Sequence, residues 1–442
     1  MAGMQAMMAT ETSTAPMDRR VRWTPPALAA LVLAAALSSS IGRAADGRAA
    51  DAPVLSFGQA LERASSGGPL ALVARSEREV AAARARQARA WQNPTLSVEV
   101  ENVLGRGPHR DFEAAETTVS LTQPLPIGGG RGSLLRAARA DEAAAEAGAA
   151  LTALDLRRDL AIAYAEAVAA DRLAAIGRER AALGAQTRAA VERRHAAGLE
   201  SDLQRARVEV ETAAMQAEAR RTAVASLAHR RALAAYWREE TVTAPLDDAW
   251  FDASPASPAT GTPDGAAHPR LVIARARLDE ARARLEAARG ASFGGVEATV
   301  GTRRFKDAPD ADRAWVLALS MPLPLWDRNG AGIAEARAAL QAAELDAERA
   351  ARDMAAESEA AGAEFEAARF EVEALVATGL PAAASAARLA AQGYEAGRLS
   401  LLERLDAERA WVQAREQLVT ARLRLRSAEA RLAAAQASST ER

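Results

Sequence analysis

Cysteine is absent from all 442 residues. That excludes disulfides, thiolate ligands for a soft metal, and a lipid-bearing cysteine behind a cleaved leader. Histidine occurs only at His109, His195, His229 and His268, spaced too widely for a metal cluster or a Ser/His/Asp arrangement. After the first forty-odd residues methionine is left only at 215, 321 and 354, so no soft-metal site is expected. Aromatics make up 4% of the chain, which disfavours a thick globular core. There is no excess of one charge either: 56 basic against 58 acidic residues give a net of -2, without the basic surplus of a nucleic-acid binder. The run "GGGRGS" at Gly128 to Ser133 lacks the GK[ST] ending of a phosphate loop and reads as a turn. No catalytic constellation, metal site or cofactor follows, and an enzyme is not expected.

What is present is alanine, leucine, arginine and glutamate in long helical stretches, within a 49% hydrophobic composition. Residues 1–45 read as an export leader: Arg19, Arg20 and Arg22 precede an apolar run from Ala27 to Leu37, and small residues follow near Ala44. The Met-rich stretch before Asp18 reads as an extension of it. That apolar run is too short to cross a bilayer, which takes about 20 residues.

The remainder repeats itself. Pro322 follows Pro124 by 198 positions, Gly397 follows Gly198 by 199, and Pro269 follows Pro69 by 200. Nearly constant spacing implies one unit used twice. The first covers 46–238, with a helix over Ser56 to Trp91, a strand pair near 94–126 and a long helical hairpin over 131–237. The second covers 269–437, with a strand pair near 293–326 and a hairpin over 331–436. Between them, 239–268 is a Pro, Ala and Ser mixture that reads as a linker or irregular insert. The long arms, Ser133 to Arg194 and Ala331 to Tyr394, would each reach about 90 Å, with a kink expected at Gly379 to Pro381.

The strands alternate with period two. Leu96, Val98 and Val100 oppose Ser97, Glu99 and Glu101; Val119 and Leu121 oppose Thr118, Ser120 and Thr122; Trp315, Leu317 and Leu319 share a side. Such alternation fits membrane strands with lipid on one face and a wet lumen on the other, and equally soluble hairpins packed on a helix. Four strands cannot close a barrel, and hydrocarbon tolerates no open edge, so a membrane reading requires oligomerisation.

Four segments in order, "QNPTLSVEVEN", "TTVSLTQPLPIGGGRG", "ALSMPLPLWDRNG" and "YEAGRLSLLERLDAERA", resemble TolC-type outer-membrane efflux channels. The first two are most similar to the CzcC-like heavy-metal branch, and the likeness runs from about Leu55 to Ala435. It implies a mainly α fold with a small β part: a homotrimer in outer-membrane lipid, whose four strands per protomer form a shared 12-stranded barrel continued by a periplasmic helical barrel. It also implies a passive exit duct of a tripartite system. The partners would be a periplasmic membrane-fusion adaptor and an inner-membrane RND pump, and the cargo heavy-metal cations. By this resemblance Pro124, Pro126, Gly128, Gly129, Pro322, Pro324 and Gly330 are strand-to-helix turns. Gly198, Leu199, Ser201, Gly397 and Ser400 are adaptor-docking tips. Glu403 and Asp406, with Tyr394 and Arg398, stand where related channels carry an acidic constriction. The chain departs from that pattern at Leu399, where many relatives have Arg, and at Gln204, where an acid is common. Drug or solvent efflux, a type I secretion duct, and a soluble periplasmic coiled-coil scaffold are the competing readings.

Overall fold

The computed structural model describes residues 54–112, 114–127, 129–255, 267–291, 295–306 and 312–437. The leader read over 1–45, Gly128 and part of the 239–268 segment lie outside the described residues. The helical stretch expected over Ser56 to Trp91 is two helices, α1 (Phe57–Gly67) and α2 (Pro69–Arg89). They part at Gly68, where a Cβ would fall 2.2 Å from the Ala64 carbonyl oxygen and 2.6 Å from that of Tyr236. Pro69, with no N–H to leave unpaired, opens α2.

Strands β1 (Thr95–Glu101), β2 (Glu116–Leu125), β3 (Val296–Phe305) and β4 (Arg313–Ser320) form one antiparallel sheet in the order β1-β2-β3-β4. From β2 the chain enters α3 (Gly130–Ala196), whose 67 residues span about 100 Å, and returns as α4 (Asp202–Ala234). A short α5 (Asp248–Asp252) precedes α6 (Pro269–Gly290), which leads to β3. After β4 come α7 (Gly330–Ala374), a π-helical turn over Leu375–Gly379, α8 (Leu380–Glu395) and α9 (Leu401–Gln436). The π turn ends two residues before Pro381, whose missing N–H and ring bulk disturb the helical ladder.

Helix α3 is the spine, packed on α2, α4, α6 and α9, while α7 packs on α6 and α9. Small residues let α3 and α4 approach closely. A Cβ on Gly177 would meet Thr222 Oγ1 at 2.8 Å and the Ala219 Cα at 3.2 Å, and one on Gly184 would meet Met215 Sδ at 2.6 Å.

The main core sits midway along the helices. Leu160, Tyr164 and Val168 of α3 meet Leu233 and Trp237, together with Val242, Leu246 and Phe251 from the segment between α4 and α6. Phe57 stacks on Trp250 at 4.9 Å, and Tyr164 meets Trp250 edge-on at 5.4 Å. The described first part of the expected irregular insert, through Phe251, is thus a fixed part of the core. Arginines hold its backbone. Arg230 Nη1 donates to the carbonyls of Val242 and Ala244, both at 2.9 Å, and Arg426 donates to those of Phe251 and Ala253. Arg172 and Arg422 both bind Asp252. That pairing, with the Arg172 hydrogen bond as the largest cause, holds the Asp252 carboxyl below its ordinary range.

Candidate functional site

The strand register sorts side chains into two unlike faces. One row across the sheet is Leu96, Leu121, Val300 and Leu317; the next is Val98, Val119, Thr302 and Trp315. These apolar side chains are exposed, with Trp315 at 76% and Leu317 at 78%. The opposite face carries Thr95, Thr122, Thr299, Ser97, Ser120, Glu99 and Arg303. There the Thr122 and Thr299 hydroxyls are 2.8 Å apart. Arg303 contacts Glu101 and Glu116 at 3.1 Å each, and its Nε donates to Thr118 Oγ1 at 2.9 Å. Apolar outside and hydrogen-bonded polar inside is the division a membrane strand needs.

Both strand-to-helix junctions are built alike. Pro124 lies inside β2 opposite Glu297 instead of ending the ladder; β1 has already stopped at Thr95, opposite Thr122, so one flank of Pro124 has no strand to serve. The turn comes next: the Ile127 N–H donates to the Leu125 carbonyl at 2.9 Å, a three-residue turn centred on Pro126. After β4, Pro322 and Pro324 follow the ladder, and Leu325 donates to Leu323 at 2.8 Å around Pro324. The chain then enters α3 through Gly129 at φ +81 and α7 through Asn329 at φ +57. Gly330 has no positive φ and is the first residue of α7. Asn329 also donates from Nδ2 to the Ala288 carbonyl at 2.8 Å, tying α7 to α6. The "NG" pair in "DRNG" was the sequence signal for it.

The two tips share one geometry. Gly198 (φ +72) and Gly397 (φ +69) take the left-handed conformation that a side chain would strain. Leu199 N–H donates back to the Arg194 carbonyl at 2.9 Å and Arg398 N–H to that of Gly393 at 2.8 Å, closing each helix with a Schellman motif. Ser201 and Ser400 then cap the returning helices in capping boxes with Gln204 and Glu403. Gln204 therefore does in the first tip what Glu403 does in the second. The Glu403 carboxylate accepts the Ser400 N–H at 2.7 Å and the Ser400 hydroxyl at 2.8 Å, and the backbone bond, the larger cause, lowers its pKa. Leu399 packs over Gly393, where a Cβ would lie 2.6 Å from its Cδ1.

Asp406 accepts from Arg409 Nη1 at 3.1 Å, and Arg409 also reaches Glu211 on α4. The Tyr394 ring lies 5.3 Å under the Arg404 guanidinium, which is paired with Glu408 at 2.9 Å. Arg398, Leu199 and Asp406 are exposed. The structure thus joins Ser400 to Glu403, sets Tyr394 beside Arg404, and gives Asp406 a separate partner. Sequence reasoning missed Gly393, Arg404 and Glu200; the side chain of the last is 6% exposed and paired with Arg194 at 2.9 Å. Among the described residues no group of three or more His, Asp or Glu side chains is arranged to hold a metal ion.

Comparison with known proteins agrees with this geometry. Over 317 residues the chain is 30% identical to the nickel-cobalt-cadmium resistance protein NccC of Alcaligenes xylosoxydans xylosoxydans, covering 69% of this chain and 70% of that one. It is 25% identical over 331 residues to the cobalt-zinc-cadmium resistance protein CzcC of Cupriavidus metallidurans, covering 74% and 77%. The crystal structure of CusC superposes with a TM-score of 0.73 at 19% identity, over 86% of this chain and 92% of that one, so the fold is that of a TolC-like outer-membrane channel. With residues 60–237 and 266–438 matching the family described as outer membrane efflux protein, the chain belongs to that family of outer-membrane channels.

Proposed function

We propose that three copies of this chain form one duct through the outer membrane and that the duct carries divalent heavy-metal cations outward. The sheet stops at β1 and β4 with both edges open, a state hydrocarbon does not permit, and three four-stranded sheets would supply a closed barrel of twelve. The flanks of the helices also call for neighbours. In the most apolar 18-residue window of Gly330–Glu395 only 11% is buried within one chain.

The cargo assignment is carried by one observation, the 30% identity to a nickel-cobalt-cadmium resistance protein over 69% of the chain. A passive duct calls for weak, transient contacts with its ions and no tight site. In this reading the tips at Gly198, Leu199 and Ser201 and at Gly397 and Ser400 meet a periplasmic adaptor, and an inner-membrane RND pump supplies the energy. The constriction is formed near Tyr394, Arg398, Glu403 and Asp406. Asp406 is the better candidate for an acidic ring: Glu403 is held by its own helix cap, whereas exposed Asp406 shares its one partner, Arg409, with Glu211.

Deleting the gene and growing the strain on graded nickel, cobalt, zinc, cadmium and several drugs tests the cargo. Loss of metal tolerance with drug tolerance intact is expected, and the reverse would overturn it. For the gate, Asp406→Ala should lower cation preference in planar-bilayer conductance, and unchanged selectivity would remove Asp406 from the constriction.

A further inference from the structure

Directly below the apolar band of the sheet, α2, α3 and the end of α6 enclose a groove of about 880 Å³. Trp91, Leu125, Ile127 and Leu134 give it apolar walls, and Arg84 and Arg131 give it charge. Trp91, Ile127 and Leu134 are 61%, 59% and 56% exposed, a concentration of large apolar side chains that water does not favour. Gln123 fixes which side of the sheet the groove is on. It shares the outward face with Leu121, and its Nε2 donates to the Gln92 carbonyl at 3.0 Å, so the Trp91–Gln92 segment is tied to the lipid-facing side. The apolar band therefore runs on from Leu121 through Leu125 into the groove.

Charge marks the lower rim. From Val80 to Gln92 and from Pro124 to Ala140 there are six arginines, at 84, 86, 89, 131, 136 and 139; Asp141, the next residue of α3, meets Arg84 at 3.7 Å in an exposed pair, which leaves the rim with an excess of positive charge. Arg131 is held in place: its guanidinium lies 4.6 Å over the Trp91 ring and donates to the Arg89 carbonyl at 2.6 Å. Beside it α3 starts with no side-chain cap, at the positive end of a long helix.

We propose that this groove binds an anionic glycerophospholipid of the inner leaflet. The phosphate would lie against Arg131, Arg84 and the first turn of α3, with acyl chains along Trp91, Ile127 and Leu125. The groove stands at the end of the strands that continues into the helices, whereas lipid A would meet the opposite, loop-bearing end; this orientation rests on the outer-membrane channel reading.

Native mass spectrometry of the full-length channel in detergent tests it, with cardiolipin, phosphatidylethanolamine and lipid A as probes. Wild type should retain cardiolipin in preference to phosphatidylethanolamine, without displacement by lipid A. Arg84→Ala with Arg131→Ala should weaken cardiolipin by about fivefold per arginine removed, and Arg349→Ala, far along α7, should change nothing. If the double variant does not assemble, single Arg131→Gln is read in its place, with about fivefold weakening expected. Equal retention of the two phospholipids, an unchanged affinity in the arginine variants, or full displacement by lipid A would each overturn the proposal. Conductance in planar bilayers separates the two readings, since a wild type that conducts but does not discriminate lipids loses only the groove.

Discussion

The Tyr164 hydroxyl accepts the Asp247 amide at 2.8 Å and donates to the Leu55 carbonyl at 2.6 Å, so one atom of α3 joins the start of the described chain to the insert between α4 and α6. Burial is the largest cause pushing this phenol up to about 12. The folded state thus keeps a proton that the unfolded chain releases near its ordinary value of 10.0, and stability is constant below that value and falls as pH rises from it towards about 12. Tyr164→Phe should cost only about 1 kcal/mol, because the Asp247 amide keeps a second acceptor in the Leu55 carbonyl at 3.1 Å. Thermal unfolding of the purified protein at pH 7 and above pH 10 checks both statements; the variant should lose part of the alkaline decline, the rest coming from groups such as Tyr236, whose phenol burial also pushes up.

The glycines between α3 and α4 should differ in how much a side chain costs. Gly177→Leu drives a side chain towards the Ala219 backbone at 3.2 Å, which cannot swing away, and a loss of about 1–3 kcal/mol is expected. Gly184→Ala crowds the thioether of Met215, which can rotate, and meets Thr212 at an ordinary 3.8 Å, while the helix gains about 1 kcal/mol in propensity. Denaturant midpoints of the two variants decide the matter: the first should fall, and the second should stay near wild type.

The sheet was legible because alternation is a local property: Leu96, Val98 and Val100 carry period two whatever they pair with, and the register merely lines them up with Val119, Leu121 and Val300. The tip turns were legible for a similar reason, since a left-handed residue ending a helix is commonly Gly. The insert was not. Trp250 and Phe251 are part of the core, yet their positions depend on Arg426 and Arg172, which approach from distant parts of the chain and leave no periodic trace. Glu403 was placed by resemblance in an acidic constriction; "SLLE" also spells a capping box, a local signal that the resemblance passed over and that the helix start of α9 displays.

Acid should loosen the capping box of the second tip, which rests on a carboxylate, and not that of the first, which rests on an amide. The depressed pKa of Glu403 means its contribution is present above the ordinary value of 4.5 and is lost as pH falls through the lower folded value. Gln204 fills the same position at the first tip without titrating. Amide exchange protection over residues 401–404 should therefore drop on acidification below about pH 4.5, relative to residues 202–205. Equal behaviour at the two tips would mean that the Glu403 carboxylate adds nothing to the Ser400 cap.

The two faces of the sheet make the most direct demand on the membrane reading. Leu317 lies in the apolar row with Leu96, Leu121 and Val300, and is 78% exposed in the isolated chain. Arginine there would sit in hydrocarbon at a cost of about 2–4 kcal/mol near mid-depth. At Thr299, on the other face and opposite the neighbouring Ala318, arginine would meet a wet lumen and other polar groups at nearly the same depth. Leu317→Arg should therefore reduce the amount of assembled protein in outer-membrane fractions, while Thr299→Arg should assemble normally and alter conductance. If both variants assemble alike, the apolar rows do not face lipid, and the soluble-hairpin reading of the same alternation gains the ground that the barrel loses.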